Sequence, residues 1–265
     1  VNTPLVALSI AGTDSGGAAG LAADLATFAA LGVHGACAVT AVTAQDTTGV
    51  SRIVPQAADD VRAQVDAVLG DLPVDVIKTG MLGSAEVAAV VAGISGVPVV
   101  VDPVLTATSG ARLGSDEMVA VYREVVLPGA TVITPNRDEA VRLTGLDPRT
   151  PAPELAAALH ELGPAVVLTG GNPRAATCGD VVVEGSGALT VLEHDTIRTC
   201  NDHGTGCTFS AALAVHLGKG ADLLTAARRA QAFVSAALTT SSTWELGRGR
   251  GPVAHIFVPT TTQES

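Results

Sequence analysis

Short β-branched runs recur along the chain, and the segments between them return apolar residues at helical spacing. The strand-like runs are "LVALSI" at 5–10, "ACAVTAV" at 36–42, "VDVIKT" at 74–79, "VPVVVD" at 97–102, "ATVIT" at 130–134 and "AVVLTG" at 165–170. The spacing predicts helices near 18–31, 57–70, 84–94, 115–127, 136–144 and 152–162, with Ser84, Ser115 and Asn136 as candidate caps. Alternation of this kind implies an α/β fold built on a doubly wound, mainly parallel central sheet flanked by helices. After Gly171 the rhythm changes. "DVVVEG" (180–185) and "ALTVLEHD" (188–195) flank the turn "GSG", which predicts an antiparallel edge near 180–195. Two helical patterns follow, 207–217 and 221–238, with Gly218 and Gly220 as stop signals. With no internal repeat and no linker, residues 1–258 read as one domain, and the polar 259–265 as a disordered tail.

Composition agrees with that layering. The 265 residues are 47% hydrophobic but only 2% aromatic, so the core must be packed from Ala, Val and Leu. A formal charge of −11 argues against a nucleic-acid partner. No run is long enough to span a membrane, and the N-terminal "VNTPLVALSIAG" lacks the basic start of an export signal. The four cysteines show no C-x-x-C pair and no metal-ligand spacing with the histidines, so the expectation is reduced thiols in the cytoplasm.

Each predicted parallel strand runs into a polar or glycine-rich cluster at its C-terminal end: "AGTDSGGAAG", "TAQD", "KTGM", "DPV", "TPNRDE", "TGGN". Open α/β sheets bind ligands outside those strand ends, so the clusters are expected to converge on one crevice. The Gly-rich crossover containing Gly12 and leading to Asp24 can wrap a small polar ring, or can simply pack strand on helix. Gln45 offers a donor and an acceptor on one amide, suited to the edge of a heterocycle. Lys78 offers a cation at the crevice mouth, or is a solvated lysine. Asn136 and Glu139 share a helix face where they could hold the water shell of Mg²⁺, or could form a capping box. Asp102 is a turn residue or a charge near a cation. "NDHGTGCTFSAALA" at 201–214 places the N–H groups of Gly204 to Cys207 at a helix start, where they can face an anion. Taken alone, it reads more readily as a helix cap beside a small buried cysteine.

Together these motifs resemble the hydroxymethylpyrimidine and phosphomethylpyrimidine kinases of thiamine biosynthesis, in the ribokinase-like superfamily. The match runs from about Leu5 to His255 through "IAGTDSGG", "TAQ", "KTGML", "VVDPV", "SGARL", "TPNRDEA", "HGTGCT" and "GRGRGPVAH". The resemblance implies a ribokinase-like fold, ATP and Mg²⁺ as cofactors, a homodimer, and phosphoryl transfer to 4-amino-5-hydroxymethyl-2-methylpyrimidine and then to its monophosphate. It implies that Gly204, Thr205, Gly206 and Cys207 form the anion hole, with Cys207 where sugar kinases of the superfamily carry a catalytic Asp. It assigns Asn136 and Glu139 to Mg²⁺ and ATP with Asp102 nearby. Gly12, Asp24, Gln45, Met81 and Val104 are assigned to the pyrimidine pocket, and Lys78 and Thr169 to the nucleotide side.

Several positions depart from the family pattern. Thr169 stands where the family's K-G-G-H motif has lysine and Asn172 where it has histidine, while Ala18, Ala22 and Asp46 replace a glycine, a glutamine and an asparagine. Two alternatives follow: a pyridoxine- or pyridoxal-type kinase, and a ligand-binding homologue without catalysis.

Overall fold

The computed structural model describes residues 3–105, 115–170 and 177–257. The "SGARL" motif, Asn172 and the 259–265 tail lie outside them. In chain order the elements are β1 (Val6–Gly12), α1 (Gly20–Ala30), β2 (His34–Asp46), β3 (Gly49–Pro55), α2 (Ala58–Asp71), β4 (Val74–Thr79), α3 (Ala85–Ala92) and β5 (Val99–Val101). Then come α4 (Asp116–Val121), β6 (Val132–Ile133), α5 (Arg137–Thr144), α6 (Ala152–His160), β7 (Ala165–Leu168), β8 (Thr177–Val183), β9 (Leu189–Asp195), α7 (Thr205–Gly218) and α8 (Leu223–Ser241). The expected caps are in place: the Ser84, Ser115 and Asn136 side chains accept the N–H groups of Val87, Met118 and Glu139.

All the strands join one nine-stranded sheet in the order β3-β2-β1-β4-β5-β6-β7-β8-β9. Pairing is parallel from β2 to β7 and antiparallel at β7–β8–β9, the edge expected near 180–195. A second antiparallel edge was not anticipated: β2 extends to Asp46 and pairs with β3. β3 is exposed over most of its length, so it lacks the buried apolar run that marks the inner strands.

Side chains alternate across the inner strands and split the core in two. Leu8, Ile77, Val101, Ile133 and Val166 pack with α2 to α6, whereas Ala7, Val76, Val100, Val132 and Val167 pack with Phe28 of α1 and with α7 and α8. By the same alternation Ser9 and Lys78 point to the α1/α7 side. The helix predicted at 115–127 is regular only through Val121 and continues as a wider turn to Val126.

Two glycines bring the starts of α1 and α7 against neighbouring backbone. Gly20 has φ 56° and Gly204 has φ 89°, both in the left-handed region. A Cβ on Gly204 would collide with the carbonyl oxygen of Ala18, and one on Gly20 with that of Gly12. Gly204→Ala is therefore expected to lower the unfolding free energy by about 2 kcal/mol or more, from backbone strain and the clash. Urea denaturation checks this; a variant within about 0.5 kcal/mol of wild type would contradict the contact.

Candidate active site

The C-terminal ends of the parallel strands open on one cavity, lined by Gly12, Thr13, Asp14, Thr43, Gln45, Met81, Asp102, Val104, Asn136, Glu139, Thr169, His203, Gly204, Gly206 and Cys207. Most of the residues expected at the crevice are thus brought together. Thr205 lines an adjoining cavity instead, and Asn136, Thr169 and Gly206 belong to both.

Asp24 and Lys78 line neither. Lys78 is 0% exposed, so its reading as a cation at the crevice mouth is corrected. Its ammonium donates to both oxygens of Asp24 at 2.8 and 2.9 Å and lies 3.7 Å from Asp102. Ser9 donates to Asp24 at 2.6 Å. Burial disfavours the charge on Lys78, but Asp24, Cys207 and Asp102 outweigh it and raise the ammonium above its ordinary pKa. Burial lifts Asp24 and Asp102 above the usual carboxylate range, with Lys78 acting against it on each.

Cys207 stands in the first turn of α7, half-buried and unbridged. Burial pushes its thiol up to about 12; Lys78 works against that shift, while Asp102 and Asp24 add to it. Asp102, on the same cavity wall as the thiol, accepts from Ser210 at 3.2 Å. As first-turn residues, Gly206 and Cys207 have no carbonyl one turn behind them to accept their N–H groups. Space around Gly206 is open. This is a geometry for stabilising an anion.

Asn136 and Glu139 form the capping box that the spacing allowed: Asn136 accepts from the Glu139 N–H at 3.0 Å, and Glu139 accepts from the Asn136 N–H at 2.9 Å. Both still line the cavity. Glu139 is raised to about 8, by burial first and by the Asp102 charge second. Two buried carboxylates that repel each other at a cavity wall form an oxygen-donor set suited to a hard divalent cation.

Two features escaped the sequence reading. Asp14 accepts the N–H groups of Gly16, Ala18 and Ala19 at 2.8, 3.1 and 2.9 Å, and so shapes the loop that enters α1. Burial raises its pKa, but His203 and those N–H groups outweigh burial and leave it below its usual value. His203 places Nε2 3.3 Å from Asp14 and 3.1 Å from the Gln45 amide nitrogen. Asp14 was visible only as a loop residue, and nothing in the local spacing tied it to His203. The second missed feature is the adjoining cavity, walled by Ile197, Phe209, Val234 and Leu238 with Asp180, His194, Gln231 and Arg250 among its polar groups. These residues are single members of separate elements, so no motif marks them.

The profile of the family described as phosphomethylpyrimidine kinase matches residues 14–254. The hydroxymethylpyrimidine/phosphomethylpyrimidine kinase of Rhizobium meliloti is 45% identical over 258 residues, covering 95% of this chain and 97% of the relative. That of Bacillus subtilis is 42% identical over 261 residues, covering 94% of each. Among solved structures, an ADP complex of Bacillus subtilis pyridoxal kinase superposes with a TM-score of 0.85 at 36% identity, covering 96% of this chain and 98% of that one. Phosphomethylpyrimidine kinase from Clostridium difficile 630 gives 0.74 at 30% identity, covering 87% and 98%. The fold is ribokinase-like, and the chain belongs to the phosphomethylpyrimidine kinase family.

Proposed function

We propose that this protein is an ATP-dependent kinase of thiamine biosynthesis, phosphorylating 4-amino-5-hydroxymethyl-2-methylpyrimidine and then its monophosphate. One observation carries the reading: the α7 start, with Gly206 and Cys207, sits at the junction between a small cavity holding Gln45, Met81 and Val104 and a second, partly apolar cavity. A heterocyclic alcohol in the first and a nucleotide in the second would meet at that helix start. The names of the curated relatives support the choice of alcohol. A Staphylococcus aureus pyridoxal kinase of the same fold, 31% identical, is described in complex with AMP-PCP and pyridoxal, which supports ATP as phosphate donor.

Phosphoryl transfer asks chiefly for alignment and charge stabilisation. The N–H groups at the α7 start supply donors where charge develops on the transferring group. Gln45 orients the ring through its amide, and Met81 and Val104 bracket its faces. Gly12 leaves room for Met81, whose methyl a Cβ there would meet at 2.5 Å. Asp24 and Lys78 act from below the floor, setting the charge around Asp102 and Cys207 without touching substrate or nucleotide. Thr169 faces both cavities and brings a hydroxyl to the nucleotide side. Asp102 and Glu139 fit Mg²⁺ and would hold it, partly through water, with Asn136 beside them. When bound, the ion neutralises phosphate charge. The same reading makes the protein a cytoplasmic homodimer, supported by the unbridged cysteines and by the exposed apolar Val42, Ile53 and Val54 on the β2–β3 edge.

A pyridoxal-type kinase is the second reading, favoured by the structural likeness to the Bacillus subtilis pyridoxal kinase. Mass spectrometry after incubation with ATP, MgCl₂ and each alcohol separates the two. The pyrimidine alcohol is expected to give monophosphate and then diphosphate; product from B6 vitamers alone would contradict the first reading.

The thiol of Cys207 is expected to stay protonated at working pH. With a pKa of about 12, its thiolate fraction at pH 8 is about one in ten thousand. Cys207 should therefore react with iodoacetamide at least about a hundredfold more slowly than the exposed Cys37 and Cys200. Time-resolved peptide mapping checks this, and equal or faster labelling of Cys207 would show an activated thiolate instead.

A further inference from the structure

We propose that Arg250 is the side chain that receives the nucleotide phosphates, presented to them by Asp202 at the approach to α7. The inference rests on the kinase reading above. A nucleoside triphosphate must enter a pair of cavities whose ionisable lining is mostly acidic: Asp14, Asp102 and Glu139 in one, Asp180, Asp195 and Asp202 in the other. Among the described residues lining either cavity, Arg250 is the one lysine or arginine. Lys78 cannot serve, because it is buried and committed to Asp24. Thr169, on the wall common to both cavities, offers a hydroxyl and no charge.

Arg250 is fixed in place from both ends. Its Nε donates to Asp202 Oδ1 at 2.7 Å and its Nη2 to Asp202 Oδ2. Its backbone N–H donates to the Thr47 carbonyl at 3.0 Å. The flanking glycines are needed for that path: a Cβ on Gly249 would strike the Thr47 carbonyl, and one on Gly251 the Asn201 side chain. Asp202 is tied to the start of α7, since its carbonyl accepts from the Thr205 hydroxyl at 2.6 Å. One edge of the guanidinium is therefore taken, and Nη1 has no acceptor among the described residues. The side chain remains 54% exposed. A planar fork with one edge anchored and the other free suits phosphate oxygens, and Gly206, one of the first-turn residues of α7, lines the same cavity.

The alternative is that Arg250 only straps the 247–251 segment to Asp202. Calorimetric affinity for ADP in the presence of MgCl₂, together with the KM values for ATP and for the pyrimidine alcohol, separates the two. Arg250→Ala is expected to weaken ADP binding by about ten- to a hundredfold, as for loss of a charge-assisted hydrogen bond, and to leave the alcohol KM within about twofold. Arg250→Lys, which keeps the charge without the fork, should fall between. Adding Thr169→Lys to Arg250→Ala should recover most of the lost affinity, because it returns a cation to the same cleft. Unchanged ADP affinity in Arg250→Ala overturns the proposal. So does a loss shared equally by ATP and alcohol that Thr169→Lys does not recover. In those cases the wild-type protein still transfers phosphate; a wild-type protein that neither binds ADP nor transfers phosphate would overturn the kinase reading as well.

Discussion

The site is organised by one buried ion pair, Lys78 with Asp24, beneath the cavity at the strand ends. Both side chains are fully buried, and the ammonium meets both carboxylate oxygens. Taking two charges out of water costs several kcal/mol per ion before their attraction is counted, and well-packed apolar residues often replace such pairs with no loss of stability. The pair is therefore better explained by what surrounds it than by the fold. Burial raises both Asp102 and Cys207, and on each of them Lys78 is the leading influence in the opposite direction. With Lys78 in place, an acidic residue and a thiol can share the wall of the first cavity.

That arrangement also explains the charge of the site as a whole. One buried cation serves Asp24 and Asp102, while Glu139 stands raised to about 8 beside Asp102. The two cavities are thus short of positive charge for any phosphorylated ligand. The start of α7 and the proposed phosphate contact at Arg250 are two different sources for it: Gly206 belongs to the wall common to both cavities, and Arg250 lines the second.

Much of this was legible in the sequence because strand alternation and helix capping are local. The run "VDVIKT" marks a strand buried on both faces, and the caps Ser84, Ser115 and Asn136 each lie next to the helix they start. The convergence of strand-end clusters followed from the parallel topology. Lys78 was misread because a lysine beside glycine at a strand end ordinarily reaches water, and its partner Asp24 lies 54 positions away. The same limit hid the link between His203 and Asp14 and the wall of the second cavity, where single residues from separate elements meet only after folding. β3 was missed for the opposite reason: an exposed edge strand carries too little hydrophobic signal.

If the Lys78–Asp24 pair exists for the site and not for the fold, stability and turnover must come apart when both partners are neutralised. The decisive measurement is urea denaturation and phosphoryl-transfer rate on the double variant Lys78→Met with Asp24→Asn. The account predicts unfolding free energy within about 2 kcal/mol of wild type, with turnover lower by about a hundredfold or more. A double variant that keeps both stability and turnover would contradict it.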